Sequence, residues 1–155
     1  MIRKATEEDV AMIYQTHVSS IIELCSGIYT PAQIIAWIQA IIPDNYIRGI
    51  KNFEFYVAED TRGYIAGLLI FNEKTGEVYA LYIAPWAANN GLGRSFLDLV
   101  ENVIQSCGHR KISLKSTLNA VSFYEHMGFE CMGESIHELE GGETLPCMQM
   151  IKQLA

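Results

Sequence analysis

The chain has 155 residues, of which 50% are hydrophobic and 19% charged, and its formal net charge is −7 at pH 7. This composition supports one packed core and excludes a disordered chain, while the acidic excess argues against broad nucleic-acid binding, which needs a basic surface. No apolar run approaches the roughly 18 residues of a membrane span, and the N-terminus lacks the apolar stretch of a signal peptide. We therefore expect a cytoplasmic protein that binds neither membrane nor nucleic acid.

The cysteines and histidines give no sign of a metal site. Cys25, Cys107, Cys131 and Cys147 contain no Cys-x-x-Cys pair and lie in apolar surroundings, so they are predicted to be buried thiols. The histidines show no ligand spacing with cysteines or carboxylates, and we expect no metal. His17 lies on the apolar stripe of the first helix and is predicted to be a packed residue.

Two amphipathic helices are predicted at the start of the chain. Thr6 and Asp9 have the spacing of a capping box, and apolar residues then recur at helical spacing up to Ile21. A second helix begins at Thr30-Pro31, where proline suits the first turn, and it is stopped by Pro43.

From residue 53 the hydrophobic period changes to two. Strands are predicted over residues 53–59, 64–72 and 77–84, joined by turns, which describes an antiparallel meander. A helix over about 93–105, a strand over 111–116, a short helix over about 119–127 and two final strands near 129–139 and 144–154 follow. The order ααβββαβαββ predicts a single domain with an α/β or α+β sheet, in which the central strand precedes the helix that starts near residue 93.

The most informative stretch runs from Tyr82 to Gly93. A short apolar strand meets a proline and a polar loop, and Gly91-Leu92-Gly93 then opens a helix. Glycines let backbone N–H groups converge, and a helix N-terminus adds its positive dipole end, so the pattern indicates an anion cradle for a phosphate or pyrophosphate. Phe96 replaces the third glycine of a dinucleotide fingerprint, and Arg94 replaces the lysine of a P-loop. A tight strand-to-helix connection without a ligand is the alternative.

A second segment follows about 30 residues later, Asn119 to Phe129, with the sequence Asn-Ala-Val-Ser-Phe-Tyr-Glu-His-Met-Gly-Phe. Together the two segments resemble the Gcn5-related N-acetyltransferase family, whose members bind acetyl-CoA through a Gln/Arg-x-x-Gly-x-Gly/Ala loop and carry an Ala-x-x-Phe-Tyr-x-x-x-Gly-Phe segment. The resemblance spans nearly the whole chain: residues 2–6 with Asp9 are similar to the opening strand and first helix of the family, and residues 55–59 and 64–67 are similar to its second and third strands. It departs at Ala88, where the family usually has Gln or Arg, and at Thr117, where the family often has Asn.

The resemblance implies a fold and a co-substrate. The fold is a mixed, mostly antiparallel central sheet flanked by helices in one domain, residues 1–155, with a V-shaped splay at the cofactor site. Acetyl-CoA would be the co-substrate, and no metal is implied. The resemblance implies that the pantetheine arm contacts the backbone of the third meander strand at Leu81, Tyr82 and Ile83. The pyrophosphate would contact the N–H groups of the loop and helix start, Asn89, Asn90, Gly91, Leu92, Gly93 and Arg94. Asn119 is a further implied cofactor contact.

The resemblance also implies two catalytic groups. Glu77 aligns with the strand position that supplies the base in histone-acetylating members, and strand alternation predicts that it shares a face with Tyr79, Leu81 and Ile83. An ordinary solvated carboxylate is the alternative. Tyr124 matches the general acid of the family, and the alternative is a ring that packs the short helix against the sheet.

The expected function is acetyl transfer from acetyl-CoA to a primary amine of a small molecule, by direct attack in a ternary complex. A protein lysine or N-terminal acetyltransferase and a non-catalytic acetyl-CoA-binding regulatory module are the alternatives, and a homodimer is left open. In the family the acceptor is set by the segments that correspond to residues 19–44 and 136–146. Aromatic and acidic residues in these segments suit a cationic amine: Tyr29, Trp37, Glu138 and Glu140.

Overall fold

A seven-stranded sheet forms the centre of the molecule in the computed structural model, which describes residues 1–155. The strands are β1 (Ile2–Lys4), β2 (Glu54–Glu59), β3 (Ile65–Asn72), β4 (Glu77–Ile83), β5 (Lys111–Ser116), β6 (Glu130–Glu138) and β7 (Thr144–Gln153). The helices are α1 (Val10–Ser20), α2 (Pro31–Gln39), α3 (Asp44–Asn52), α4 (Leu92–Ser106) and α5 (Val121–His126). The strand order is β1-β2-β3-β4-β5-β7-β6, and only β4 and β5 run parallel. The expected mostly antiparallel sheet and its meander β2–β4 are thus confirmed.

The structure contains the opening strand that the resemblance implies, and it adds a helix that the sequence does not predict. The strand β1 pairs with β2, and α3 follows Pro43. The predicted capping box is present at Thr6–Asp9, and a second one forms at Thr30–Gln33, but α2 ends at Gln39 rather than at Pro43. Beyond Ser20, α1 continues as a π-helical turn over Ile21–Cys25, which widens the helix where it meets the sheet. None of the helices combines the length and apolar character needed to cross a membrane.

Helices cover both faces of the sheet and enclose separate apolar clusters. Phe96, Val100 and Ile104 of α4 are fully buried in the largest cluster, which α5 completes. On the opposite face α1 and α3 pack against β2 and β3, and α2 packs with the β6–β7 hairpin in a third cluster. Burial of these apolar surfaces is the main force that holds the layers together.

The prediction of four buried thiols is wrong for two cysteines. Cys25 and Cys147 are buried, but Cys107 and Cys131 are exposed. Cys107 caps the end of α4, and Cys131 lies on β6, which is an edge strand. Apolar neighbours in the sequence therefore do not bury Cys107 and Cys131, because one lies at a helix end and the other on an edge strand.

The parallel pairing in the middle of the sheet is very short. Glu77 pairs with Ser113 and Val78 with Leu114, and no pairing between β4 and β5 follows. Beyond Val78 the two strands diverge, which is the V-shaped splay that the resemblance implies. Because an open strand edge leaves backbone N–H and C=O groups unpaired, the rest of β4 presents such groups toward the splay.

A β-bulge lies in β4 at the mouth of the splay. Phe71 pairs with Val78 and Ile70 with Ala80, so Tyr79 is the extra residue. The bulge corrects the prediction that Glu77 shares a face with Leu81 and Ile83. Those two side chains pack toward α4, whereas Ala80 and Tyr82 pack toward α1, and Glu77 lines a cavity together with Tyr82. A bulge shifts the alternation of all residues beyond it by one position.

Candidate functional site

The splay opens into a cleft of about 550 Å³, which we call the splay cleft. Its walls come from the end of β4, the following loop, the start of α4, α5 and the π-helical turn after α1. Nine predicted site residues line it: Leu81, Tyr82, Ile83, Asn89, Gly91, Leu92, Gly93, Arg94 and Asn119. Tyr124 lines it as well, and Asn90 does not.

The loop at one end of the splay cleft has the backbone of an anion cradle. Asn89 has a φ of 64° and Gly91 a φ of 82°, both in the left-handed region that turns the chain sharply. Ser95 N donates to Gly91 O, which is the first hydrogen bond of α4. The N–H groups of Leu92 and Gly93 precede that bond, so they are available at the positive end of the helix dipole.

The two motifs found in the sequence meet in the structure. A Cβ atom built on Gly93 would lie 2.7 Å from Cζ of Phe123, so the helix start and the aromatic ring are in close contact. Only glycine allows this approach without moving the ring. The Gly-Leu-Gly loop and the Phe-Tyr segment therefore form adjoining walls of one cleft.

Asn119 carries a buried oxygen that has no partner in the chain. Its Oδ1 is inaccessible to solvent and accepts no hydrogen bond, and the Cys25 thiol lines the same cleft. Burial raises the pKa of Cys25 to about 11, so the thiol remains protonated at neutral pH. An unsatisfied buried carbonyl costs about 1–3 kcal/mol, and such an atom in a cleft indicates a ligand that donates an N–H or O–H group.

Tyr124 presents its hydroxyl to the splay cleft. Its ring lies between Phe123 and Phe129, with ring centroids 5.2 and 5.5 Å away, and only 6% of the residue is exposed. The hydroxyl makes no hydrogen bond within the chain, and burial raises the pKa of Tyr124 well above its usual range. The phenol is therefore protonated at neutral pH and can donate a hydrogen bond.

Two smaller cavities, of about 220 and 260 Å³, lie on the other side of β4 against the β6–β7 hairpin, and we call them the hairpin cavities. The first is lined mainly by Tyr29, Trp37, Glu77, Tyr79, Tyr82, Lys115, Thr117 and His137. The second shares Trp37, Tyr79, Tyr82 and His137 and adds His17, Asn45, Tyr46, Glu138 and Glu140. The residues predicted for the acceptor are thus brought together with Glu77 around these cavities.

The charged groups around the hairpin cavities are mostly acidic. Glu77, Glu138 and Glu140 line them, against the single ammonium of Lys115, whose Nζ donates to Ile136 O at 3.0 Å. Desolvation and the nearby Lys115 charge lower the pKa of His137, which keeps that ring uncharged at neutral pH. The lining therefore carries a negative balance that favours a cationic ligand.

His17 was predicted to be a packed residue, and it packs against a cavity wall. Its ring packs against Tyr82 in a tilted arrangement with centroids 4.3 Å apart, and its Nδ1 lies 2.7 Å from the hydroxyl of Tyr46. Burial, with a smaller contribution from His137, lowers the pKa of His17 to about 4. The imidazole is therefore neutral at pH 7 and adds no positive charge to the hairpin cavities.

The splay cleft and the hairpin cavities meet at two residues. Tyr82 lines all three spaces, and Thr117 lines the splay cleft and the smaller hairpin cavity. Tyr82 lies beyond the bulge and Thr117 directly follows β5, so both stand where the two strands diverge. A ligand in the splay cleft and a ligand in the hairpin cavities could therefore come into contact at this junction.

The sequence pattern missed several of these lining residues. Leu24 and Cys25 reach the splay cleft because of the π-helical turn, and Tyr46 reaches the hairpin cavities because α3 folds back over the sheet. One signal was present for Tyr46: together with Ile50 it forms the apolar stripe of a short amphipathic helix that begins directly after Pro43. Nothing in the local sequence indicates the π-helical turn.

Solved structures share this architecture. The crystal structure of a Gcn5-related N-acetyltransferase from Rhodopseudomonas palustris matches with a TM-score of 0.90 and 21% identity, over 99% of this chain and 95% of that one. The PaiA N-acetyltransferase from Thermoplasma acidophilum, in complex with coenzyme A, matches with a TM-score of 0.75 and 20% identity over 99% and 98%. A phosphinothricin acetyltransferase from Sinorhizobium meliloti, in complex with acetyl-CoA, gives 0.69 and 19% over 100% and 88%.

The sequence itself identifies the family. No curated protein matches it. The sequence profile of the acetyltransferase (GNAT) domain matches residues 25–152, which is most of the chain and includes both the Gly-Leu-Gly loop and the Phe-Tyr segment. The protein therefore belongs to the GNAT family of acetyltransferases.

Proposed function

We propose that this protein transfers the acetyl group of acetyl-CoA to a primary amine of a small cationic molecule. One observation carries the proposal: an acidic, aromatic pair of cavities joins the splay cleft at Tyr82 and Thr117. A site for an amine and a site for an acyl donor would then share one opening. The modest volumes, about 220 and 260 Å³, suit a small molecule better than a folded protein segment.

The residues of the splay cleft fit acetyl-CoA. The unpaired edge of β4 at Leu81 to Ile83 suits the amide groups of the pantetheine arm, because an extended ligand can add to an open strand edge. The loop and the start of α4 suit the pyrophosphate, with Arg94 beside them. The unpartnered Oδ1 of Asn119 would accept an N–H from the same ligand. With Ala88 in the usual Gln/Arg position, backbone N–H groups carry more of this binding.

Glu77 is the proposed base. Acetyl-CoA supplies an activated acyl group, whose carbonyl carbon bonds to the amine nitrogen as the C–S bond breaks and its electron pair leaves with the sulfur. The nitrogen then loses a second proton to water, which leaves the neutral amide. An alkylamine with a pKa near 10.4 is about 0.04% neutral at pH 7, a handicap of about 4.6 kcal/mol. Glu77 lines the smaller hairpin cavity next to the junction, where its carboxylate can take the proton that the ammonium must lose.

Tyr124 is the proposed acid. Its protonated phenol faces the splay cleft with no partner in the chain, so it is free to donate to the sulfur as negative charge develops there. The raised pKa of Tyr124 keeps the donor protonated throughout the pH range in which an acetyltransferase would work near neutrality. A backbone N–H on the open edge of β4 could stabilise the carbonyl oxygen in the same step.

The proposal is tested by acetyl-CoA-dependent release of CoA across an amine panel. The panel contains diamines, polyamines, aminoglycosides, amino acids and N-terminal peptides. We expect turnover with cationic small amines. Turnover with peptides alone would instead indicate a protein acetyltransferase, and tight acetyl-CoA binding without turnover would indicate a regulatory module.

Two variants separate the catalytic roles from binding. Glu77→Gln should lower kcat and remove the acidic limb of the pH–rate profile, and Tyr124→Phe should lower kcat about 10²- to 10³-fold with little change in acetyl-CoA affinity. Glu125→Gln is the matched control, because Glu125 is an exposed carboxylate next to Tyr124 in the chain. An unaltered pH–rate profile in Glu77→Gln would rule out the base assignment, and unchanged turnover in Tyr124→Phe would remove that residue from the mechanism.

A further inference from the structure

The side chain of Tyr82 occupies a position that no other residue shares. It lines the splay cleft and both hairpin cavities, so it stands where an acyl donor and an acceptor would meet. The family resemblance assigns a role only to its backbone, on the open edge of β4. The phenol itself points to the opposite face of the sheet from Leu81 and Ile83, toward α1 and α2.

The phenol ring is held firmly by its neighbours. The His17 ring lies 4.3 Å from it and the Trp37 ring 6.4 Å, measured between centroids. The Nδ1 of His17 is in turn tied to the Tyr46 hydroxyl at 2.7 Å. Because α1, α2 and α3 each contribute one of these side chains, the orientation of the Tyr82 ring is set before any ligand binds.

The Tyr82 hydroxyl is free, unlike those of the other tyrosines that line the hairpin cavities. The Tyr29 hydroxyl donates to Pro146 O and accepts from Leu118 N, so it is structural. The hydroxyl of Tyr46 is bonded to His17, and that of Tyr79 accepts from Asn72 Nδ2. No residue of the chain forms a hydrogen bond with the Tyr82 hydroxyl. A preorganised hydroxyl with unused bonding capacity at the junction is available to a ligand.

We propose that the Tyr82 hydroxyl binds the attacking amine, accepting a hydrogen bond from one of its N–H groups and so aiming the nitrogen at the acyl carbon. This inference rests on the proposed function and specifies its acceptor as a primary amine. After loss of one proton a primary amine has two N–H groups. One can face Glu77 and the other Tyr82, while the lone pair points at the acyl carbon.

Tyr82 acts here as a hydrogen-bond acceptor and takes up no proton. Burial raises the pKa of its phenol, so the hydroxyl does not ionise during the reaction. The amine nitrogen gains positive charge as its bond to carbon forms, and a hydrogen bond from that N–H to Tyr82 then becomes stronger. The contribution should therefore be seen in kcat more than in the affinity for acetyl-CoA.

The first experiment compares each amine that is turned over with its N-methyl derivative. In the wild-type chain the N-methyl derivative should react at least tenfold more slowly in kcat/KM, since it has only one N–H for two partners. Tyr82→Phe should lower kcat/KM for the primary amine roughly 10- to 100-fold and leave the shape of its pH–rate profile unchanged. In this variant the primary amine should react no more than about threefold faster in kcat/KM than its N-methyl derivative. The ring is retained in this variant, so its packing against His17 remains.

A second readout needs no turnover. Calorimetry with a bisubstrate analogue, in which one nitrogen of 1,4-diaminobutane is joined through an acetyl group to the sulfur of CoA, should show about tenfold weaker binding to Tyr82→Phe. Binding of CoA alone should be unchanged. Tyr64→Phe is the control for loss of a tyrosine hydroxyl, because Tyr64 is 52% exposed and lies outside these cavities.

The outcomes distinguish this inference from the proposed function. If amines are acetylated and Tyr82→Phe stays within twofold of wild type, or keeps the full N-methyl preference, the inference is overturned and the proposed function stands. Equal losses in the binding of the analogue and of CoA alone would also overturn it, because the side chain would then act on the cofactor site. A wild-type chain that releases no CoA with any amine overturns both.

Discussion

The buried neutral state of His17 predicts a loss of stability in mild acid. Burial lowers the pKa of this imidazole from its usual 6.5 to about 4. Between these two values the unfolded chain binds a proton that the native chain excludes, so the free energy of unfolding falls as the pH falls from about 6.5 toward 4. The group thus contributes no penalty above pH 6.5 and its full penalty below pH 4.

The magnitude follows from the size of the gap. A difference of about 2.5 pH units at about 1.36 kcal/mol per unit gives an upper bound of about 3.4 kcal/mol, and about 2.5 kcal/mol would be reached at pH 4.5. The ring lines a cavity and is partly exposed, which reduces the effect, so we expect about 2 kcal/mol between pH 7.5 and 4.5.

The assay is urea unfolding of wild type and His17→Gln at pH 7.5 and 4.5, followed by circular dichroism. Glutamine keeps a polar atom for the Tyr46 hydroxyl but cannot titrate in this range. The variant should lose about 2 kcal/mol less than wild type over this interval, whatever its stability at pH 7.5. His126→Gln, at an exposed histidine of α5, controls for histidine removal as such. Equal acid losses in wild type and His17→Gln would refute the reasoning.

Three further changes test the site and its support. Gly76→Ala should lower the free energy of unfolding in urea by about 2–4 kcal/mol, because Gly76 has a φ of 78° and an added Cβ would lie 2.7 Å from the backbone oxygen of Lys111. The control is Gly108→Ala, which has a φ of 88° but open space around it and should lose only about 1 kcal/mol. Equal losses in the two variants would contradict this account. Gly93→Ala should leave stability nearly unchanged but weaken acetyl-CoA binding about tenfold in calorimetry, because the added Cβ displaces the Phe123 ring within the splay cleft. Unchanged affinity would show that the ring moves without entering the space that acetyl-CoA occupies. Asn119→Leu should keep or raise the melting temperature while weakening acetyl-CoA binding about tenfold, since it removes an unpaired buried oxygen; a large fall in both would mean that the amide is structural.

Much of the fold could be predicted because its elements follow regular patterns. The period-two strands of the meander, the proline and glycine boundaries and the two capping boxes are local signals, and the structure contains them all. The helix α3 was missed although it is amphipathic, because its nine residues directly follow Pro43, which also indicates the end of the preceding helix. The strand β1 has only three residues, two of them basic, and was expected only from the family resemblance.

The site was predictable to the extent that it is made of backbone. The loop and the open edge of β4 depend on glycines and strand ends, which can be read from the sequence. The predicted orientation of Glu77 was wrong because the extra residue Tyr79 shifts the alternation of side chains along β4. A bulge of this kind depends on how neighbouring strands pair, which the sequence of one strand does not show. The partners of His17 lie 29 and 65 positions away in the chain, at Tyr46 and Tyr82, so no local pattern could identify them.

The two-residue pairing between β4 and β5 also has a mechanical consequence. The sheet consists of a four-stranded half and a three-stranded half, and in the sheet itself only Glu77–Ser113 and Val78–Leu114 join them. Such a narrow connection can act as a hinge, because the two halves of the sheet could tilt relative to each other while few inter-strand hydrogen bonds are lost. A ligand wedged in the splay would brace both halves at once, so binding energy would be converted into stiffness across the whole sheet. The splay that admits the ligand therefore lies at the shortest strand pairing between the two halves of the sheet.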